Sequence, residues 1–217
     1  MTASSAATGP QTRWFTTESK YQVVAGWLRA CSGSLLDIGA RDRVLGRLLT
    51  TAPGLAYASA DLGGGHDFAL DLEQPLPLPD HSFDYVVALD VLEHVEHIHQ
   101  AFHELARLAR RSVLLSLPNL AAWPRRWSFF WRGHLNTGKY DLLPEHQGDR
   151  HRWLTVYPEM NRFVAENARR AGLHWQALVE ELEYPRGWGW LVRPAATRGL
   201  VSGGAFTSRC LYQLRRV

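Results

Sequence analysis

Cysteine is scarce in this 217-residue chain: Cys31 and Cys210 stand far apart without C-x-x-C spacing. That gives no support to a disulfide framework or a cysteine zinc site and predicts two buried free thiols. Lysine is nearly absent too, with Lys20 and Lys139 alone, so the cationic charge is almost all arginine. The net charge of +3 is mild and gathers in no block, so no nucleic-acid footprint is expected. No run of eighteen apolar residues occurs, and the opening MTASSAATGP lacks a basic region followed by an apolar core. These absences predict a cytoplasmic protein and leave only a weak membrane-surface contact open. No internal repeat or low-complexity block is present.

What is there fits one domain with appendages. Residues 1–17 read as a flexible N-terminal segment and 18–217 as the domain, with aromatic insertions at about 121–153 and 184–204. Between Glu18 and Cys31, Val24, Trp27, Leu28 and Cys31 fall at helical spacing. The stretch Leu35–Asp42, LLDIGARD, then gives an apolar strand, an acidic residue and a glycine turn, followed by RVLGRLL with one apolar helical face. Gly39 lets the backbone pass close to a ligand, and Asp37 falls at the carboxyl end of the strand.

A second strand over Gly54–Ala60 ends at Asp61, about 20 positions beyond Gly39, where a carboxylate in nucleotide-binding α/β folds grips a ribose diol. The bland reading is a surface aspartate at a strand end. A third strand is predicted over Asp67–Glu73. The run LPLPDHSFDYVVALDVLEHV, Leu76–Val95, gives an extended approach, a charge-free buried strand and a helix entry. His94, His97, His99 and His103 lie near helical spacing but lack a fixed carboxylate or thiol companion, so no metal site is expected. After the strand SVLLSL comes Pro118-Asn119, then AAWPRRWSFFWRG, for which a lid, an interfacial helix and core packing compete. The polar loop Asn136–Trp153 holds His146, Asp149, His151 and Trp153; of these His151 is the best general base, because imidazole takes a proton near neutral pH.

LLDIGARD resembles motif I of the class I S-adenosylmethionine (SAM) methyltransferases, departing from it where Arg41 and Arg43 replace glycines. The Leu76–Val95 run resembles the signature of the methyltransferase group related to ubiquinone-biosynthesis enzymes and to MetW. The resemblance implies an α/β, Rossmann-like fold: a mostly parallel seven-stranded sheet with one antiparallel strand at its end and helices on both faces. It implies SAM as cofactor and S-adenosylhomocysteine as product, held by Asp37, Gly39, Ala40, Asp61, Leu62, Asp71, Leu72, Asp90 and Val91. The acceptor would meet Asn119, Trp123, His146 and Trp153, with His151 and His94 as catalytic candidates. A small-molecule or glycan-precursor acceptor, methylated at a hydroxyl, is the expectation. The other class of reading is a MetW-like binding or regulatory partner that keeps the fold without turnover, motivated by Arg41 and Arg43. A nicotinamide oxidoreductase is disfavoured, since no G-x-G-x-x-G stands at the first turn.

Overall fold

The computed structural model describes residues 10–135, 137–140, 150–200 and 204–216. The strands are β1 (Thr12–Thr16), β2 (Gly33–Ile38), β3 (Leu55–Asp61), β4 (Phe68–Ala69), β5 (Phe83–Leu89), β6 (Ala109–Pro118), β7 (Leu173–Leu182) and β8 (Thr207–Arg216). The helices are α1 (Lys20–Leu28), α2 (Val44–Leu48), α3 (Ile98–Leu108), α4 (Trp123–Arg132), α5 (Tyr157–Arg170) and α6 (Gly189–Thr197). One sheet of eight strands runs in the order β1-β7-β8-β6-β5-β2-β3-β4. Only β8 is antiparallel to its neighbours, so the mostly parallel sheet is as expected, with one strand more and with the antiparallel strand inside the sheet, between β7 and β6, rather than at its end.

Of the flexible segment expected over residues 1–17, the extra strand corrects Thr12–Thr16, while residues 1–9 lie outside the described residues. Thr12–Thr16 pairs in parallel with β7, because TRWFT alternates on a pleat and has partners for both of its faces. Trp14 meets Trp27 of α1 edge to face at 5.8 Å, and Arg13 Nε donates to the buried Glu180 carboxylate at 2.6 Å. The strand expected over Asp67–Glu73 shrinks to Phe68–Ala69, since the chain turns at Asp71, whose Oδ1 accepts from the Glu73 N–H.

Alternation along the central strands sorts apolar side chains to the two faces. Leu35, Val87, Leu89 and Leu114 join Val24 and Leu28 of α1 and Leu45 of α2. Leu36, Val86, Ala88 and Leu115 face the other way, onto Phe102 and Leu105 of α3 and Met160 and Val164 of α5. From β2 the chain moves outward through β3 and β4, then returns to place β5 on the other side of β2. The strand order therefore reverses between β2 and β5, and a crevice opens there at the carboxyl ends of the strands. No helix among the described residues is long and apolar enough to cross a membrane.

Candidate active site

That crevice is a cleft of about 390 Å³, lined by Gly39 and Arg41 after β2, Asp61 and Leu62 after β3, Asp71 and Leu72 after β4, and Asp90, Val91 and His94 after β5. Eight of the sequence-predicted residues thus converge on one wall system: Gly39, Asp61, Leu62, Asp71, Leu72, Asp90, Val91 and His94. The turn after β2 is tight. Gly39 has φ +73°, and a Cβ there would stand 2.5 Å from Val91 Cγ2, so only glycine fits. Its N–H and that of Ala40 donate to the Ala60 carbonyl, which ties the turn to β3.

Arg41 and Arg43 adopt φ of 42° and 53°, left-handed values that glycine takes without strain. The backbone is held there by its neighbours. Arg41 N–H donates to Asp61 Oδ2 at 3.0 Å, Arg43 N–H to the Ala40 carbonyl at 2.7 Å, and the Arg43 guanidinium to the Gly65 carbonyl. Asp61 Oδ1 accepts from Leu62 N–H, so each Asp61 oxygen holds one backbone bond and keeps lone-pair capacity toward the cleft.

Asp37 does not line the cleft. It is buried beneath it and accepts from the Tyr57 hydroxyl at 2.8 Å. Burial pushes its carboxyl up to about 6, against the Tyr57 hydrogen bond and the Lys20 charge. Asp90 lines the cleft, but its carboxylate is already engaged: Ser116 Oγ donates at 2.5 Å, Lys20 Nζ at 2.9 Å and Arg209 Nε at 2.9 Å. Burial raises the Asp90 carboxyl, yet Arg209, Lys20 and Ser116 outweigh it and hold the group below its ordinary value. Asp90 therefore locks α1, β6 and β8 to the cleft floor.

The acceptor-side candidates part company. Asn119 is fully buried, donating from Nδ2 to the Gly204 and Thr207 carbonyls at 2.7 Å each while Oδ1 accepts from the Ala121 and Tyr157 N–H groups. Every polar atom of its amide is used to join β6 to the chain around it, which corrects its reading as an acceptor contact. Trp123 stands on α4, stacked against Trp127, and is not part of the cleft wall. Helix α4 buries none of its residues, so the helix is not part of the core, and of the insertion only Ala122 at its start is buried. His146 and Asp149 lie outside the described residues.

His94 and His151, far apart in sequence, meet edge to face at 4.6 Å. His94 Nδ1 bonds the Arg150 carbonyl at 2.9 Å, while the Arg152 N–H donates to the Glu93 carbonyl at 2.8 Å and Trp153 Nε1 to the Val95 carbonyl at 2.8 Å. The segment 150–153 is thereby clamped over the turn at Leu92–His94. Glu93, which the sequence reading passed over as part of a helix entry, is completely buried, and His151 Nε2 lies 3.9 Å from its Oε1. Burial and then the Asp90 charge push the Glu93 carboxyl up to about 8. His97, His99 and His103 take no part in this cluster.

Residues 51–117 match the family described as "Methyltransferase domain". The chain has the Rossmann-like fold of the class I methyltransferases. The chain is similar in fold to a SAM-dependent methyltransferase from Archaeoglobus fulgidus (TM-score 0.53, 14% identity, 91% of this chain and 95% of the other covered). It is likewise similar to magnesium protoporphyrin IX methyltransferase from Synechocystis PCC 6803 with bound S-adenosylhomocysteine (0.54, 17%, 91% and 82%). A third likeness is to 1,6-didemethyltoxoflavin-N1-methyltransferase from Burkholderia thailandensis, whose structure holds its substrate and S-adenosylhomocysteine (0.53, 15%, 91% and 78%). No curated protein matches the chain significantly. The match over residues 51–117 and the shared fold agree with the broad class I resemblance; the narrower grouping with ubiquinone-biosynthesis enzymes and MetW rests on the Leu76–Val95 run alone.

Proposed function

We propose that this methyltransferase transfers the SAM methyl group to a hydroxyl of a small-molecule or glycan-precursor acceptor, with SAM in the cleft between the ends of β2 and β5. The observation that carries the reading is the convergence of Gly39, Asp61 and Asp71 on one cleft whose opposite end is polar and imidazole-bearing. The residues fit the cofactor: a glycine cradle that a Cβ would fill, a carboxylate with spare acceptor capacity for a ribose diol, and a second carboxylate, Asp71, for the adenine amine. SAM supplies a sulfonium-bound methyl that an acceptor oxygen attacks as sulfur departs with the S–C electron pair.

The chain's own work is alignment, plus custody of one proton. Asp61, Leu62, Asp71 and Leu72 fix the nucleoside end, and Gly39 with Ala40 lets the turn approach it. At the other end, His94 lines the cleft and His151 stands against it. His151 takes the hydroxyl proton in the metal-free protein, and Glu93 at 3.9 Å steadies the imidazolium. Arg41 also lines the cleft, and this favours a second reading, a binding partner that keeps the pocket without turnover.

Isothermal titration with SAM and with S-adenosylhomocysteine, on the wild-type chain and on Asp61→Ala, tests the assignment. Binding of both ligands, weakened about tenfold by the substitution (about 1.4 kcal/mol), is expected. Unchanged affinity in Asp61→Ala removes that residue from the ribose site, and no binding to a folded sample moves the reading to the non-catalytic partner.

A further inference from the structure

Glu93 is the one carboxylate in the described chain that is wholly enclosed with neither oxygen hydrogen-bonded. Two enclosed oxygens without a partner are costly, and a bound cation is one way of satisfying them. The cations nearby are committed: Lys20 and Arg209 bond Asp90, and Arg209 also bonds Glu181. What does face Glu93 is imidazole. One ligand atom from each of Glu93, His94 and His151 lies within 4.8 Å of the other two.

We propose that Glu93, His94 and His151 bind a single divalent transition-metal ion of the zinc type at the acceptor end of the cleft. The donor set is two imidazole nitrogens and one carboxylate oxygen, a combination that suits zinc-like ions over Mg²⁺ and Ca²⁺, which prefer all-oxygen shells. Ligand atoms about 2.0–2.2 Å from one tetrahedral zinc stand roughly 3.3–3.6 Å apart. The three side chains therefore need to close by about 1 Å, within the reach of small rotamer changes.

The tautomer of His94 is already right for a ligand. The Arg150 carbonyl can only accept, so His94 Nδ1 carries the proton and Nε2 is the ring nitrogen able to coordinate. This carbonyl–histidine pair is the outer support that metal-bound histidines ordinarily have. The same clamp, through the Arg152 N–H on the Glu93 carbonyl, fixes the backbone of the carboxylate ligand relative to His151. The metal's place resolves the arrangement of residues 93, 94 and 151 as one site rather than three neighbours.

Three protein ligands leave coordination positions open, and His94 lines the cleft, so an acceptor oxygen could occupy one of them. This last step rests on the methyltransferase reading above; the metal site itself does not. With the metal bound, the two histidines are ligands rather than bases, and the acceptor hydroxyl ionises against the cation with its proton passing to solvent.

The test is calorimetric and needs no acceptor. Chelator-dialysed full-length protein is titrated with ZnCl₂ and, separately, with MgCl₂; Glu93→Gln, His151→Ala and the control His103→Ala follow, each also titrated with SAM. One equivalent of Zn²⁺ at micromolar Kd or tighter, with Mg²⁺ far weaker, is expected. Glu93→Gln and His151→Ala should each weaken Zn²⁺ about tenfold or more, with SAM affinity within twofold of wild type and His103→Ala unchanged on both counts. No saturable Zn²⁺ binding, or binding that survives both Glu93→Gln and His151→Ala, overturns the site. If one of the two fails to fold, the other decides alone. Zn²⁺ binding without SAM binding sinks the functional reading and keeps the metal; SAM binding without Zn²⁺ does the reverse.

Discussion

Asp37→Asn should abolish a pH dependence of stability that the wild-type chain carries between pH 5 and 7.5. Asp37 is 4% exposed, and burial raises its carboxyl from 3.8 to about 6. A carboxyl raised on folding makes the folded state bind protons more tightly than the unfolded one, so the charged form costs stability. That cost is in full force above about pH 6 and is relieved as pH falls through 6 toward 3.8. With these two values linkage gives a penalty of about 3 kcal/mol at pH 7.5 and about 1.5 kcal/mol at pH 5, to order of magnitude. Acidification over that window should therefore favour the wild-type fold by about 1.5 kcal/mol through this group, or roughly 3–6 °C in Tm for a chain of this size.

The asparagine keeps an oxygen to accept from the Tyr57 hydroxyl, and whatever its buried amide costs is the same at both pH values. The quantity to measure is accordingly the change in Tm between pH 5 and 7.5 in wild type, minus the same change in Asp37→Asn, by calorimetry without added ligand. Groups elsewhere cancel in that difference. An identical pH response in the two proteins would refute the burial argument; a response of opposite sign would mean that Lys20 and Tyr57 outweigh burial.

Two further substitutions probe the cleft and its surroundings. Gly39→Ala forces a Cβ into a backbone at φ +73° and against Val91 Cγ2 at 2.5 Å, so a loss of about 1–3 kcal/mol in urea unfolding is expected; adding Val91→Ala should recover the steric part only, and no loss at all would mean that the turn relaxes. Trp127→Ala with Phe130→Ala removes two rings that are 51% and 75% exposed, so Tm should stay within about 4 °C of wild type. A larger drop would return α4 to the core-packing role that its exposure denies.

Much of the fold was legible because parallel strands buried on both faces write themselves as apolar runs, and β2, β5 and β6 did so. The lining of the cleft was legible for a related reason: the residues after each strand share one end of the sheet, so Gly39, Asp61 and Asp71 had to converge once the strands were placed. The surroundings of Asn119 and Glu93 were not. Asn119 carries the same signal whether it faces a ligand or bonds Gly204, Thr207, Ala121 and Tyr157, and only the fold of β8 and its approach decides between them. Glu93 was hidden likewise, since the distance between residues 93 and 151 has no trace in spacing.

The departure at motif I shows what a glycine pattern measures. Glycine is favoured at such turns because its backbone reaches positive φ without strain, and each non-glycine residue held there costs of order 1–2 kcal/mol. Arg41 and Arg43 nevertheless sit at 42° and 53°. Bonds local to the turn offset that strain: Asp61 takes the Arg41 N–H, Ala40 takes the Arg43 N–H, and Gly65 takes the Arg43 guanidinium. The path of the chain is therefore that of a glycine turn, written in arginine. What changes is the wall of the cleft, where the Arg41 side chain adds a guanidinium that a glycine would not. A fixed positive charge there suits the carboxylate of an amino-acid-bearing ligand and opposes a sulfonium placed directly against it, so Arg41 would restrict how SAM, bound as proposed, lies in the cleft without closing the cleft to it.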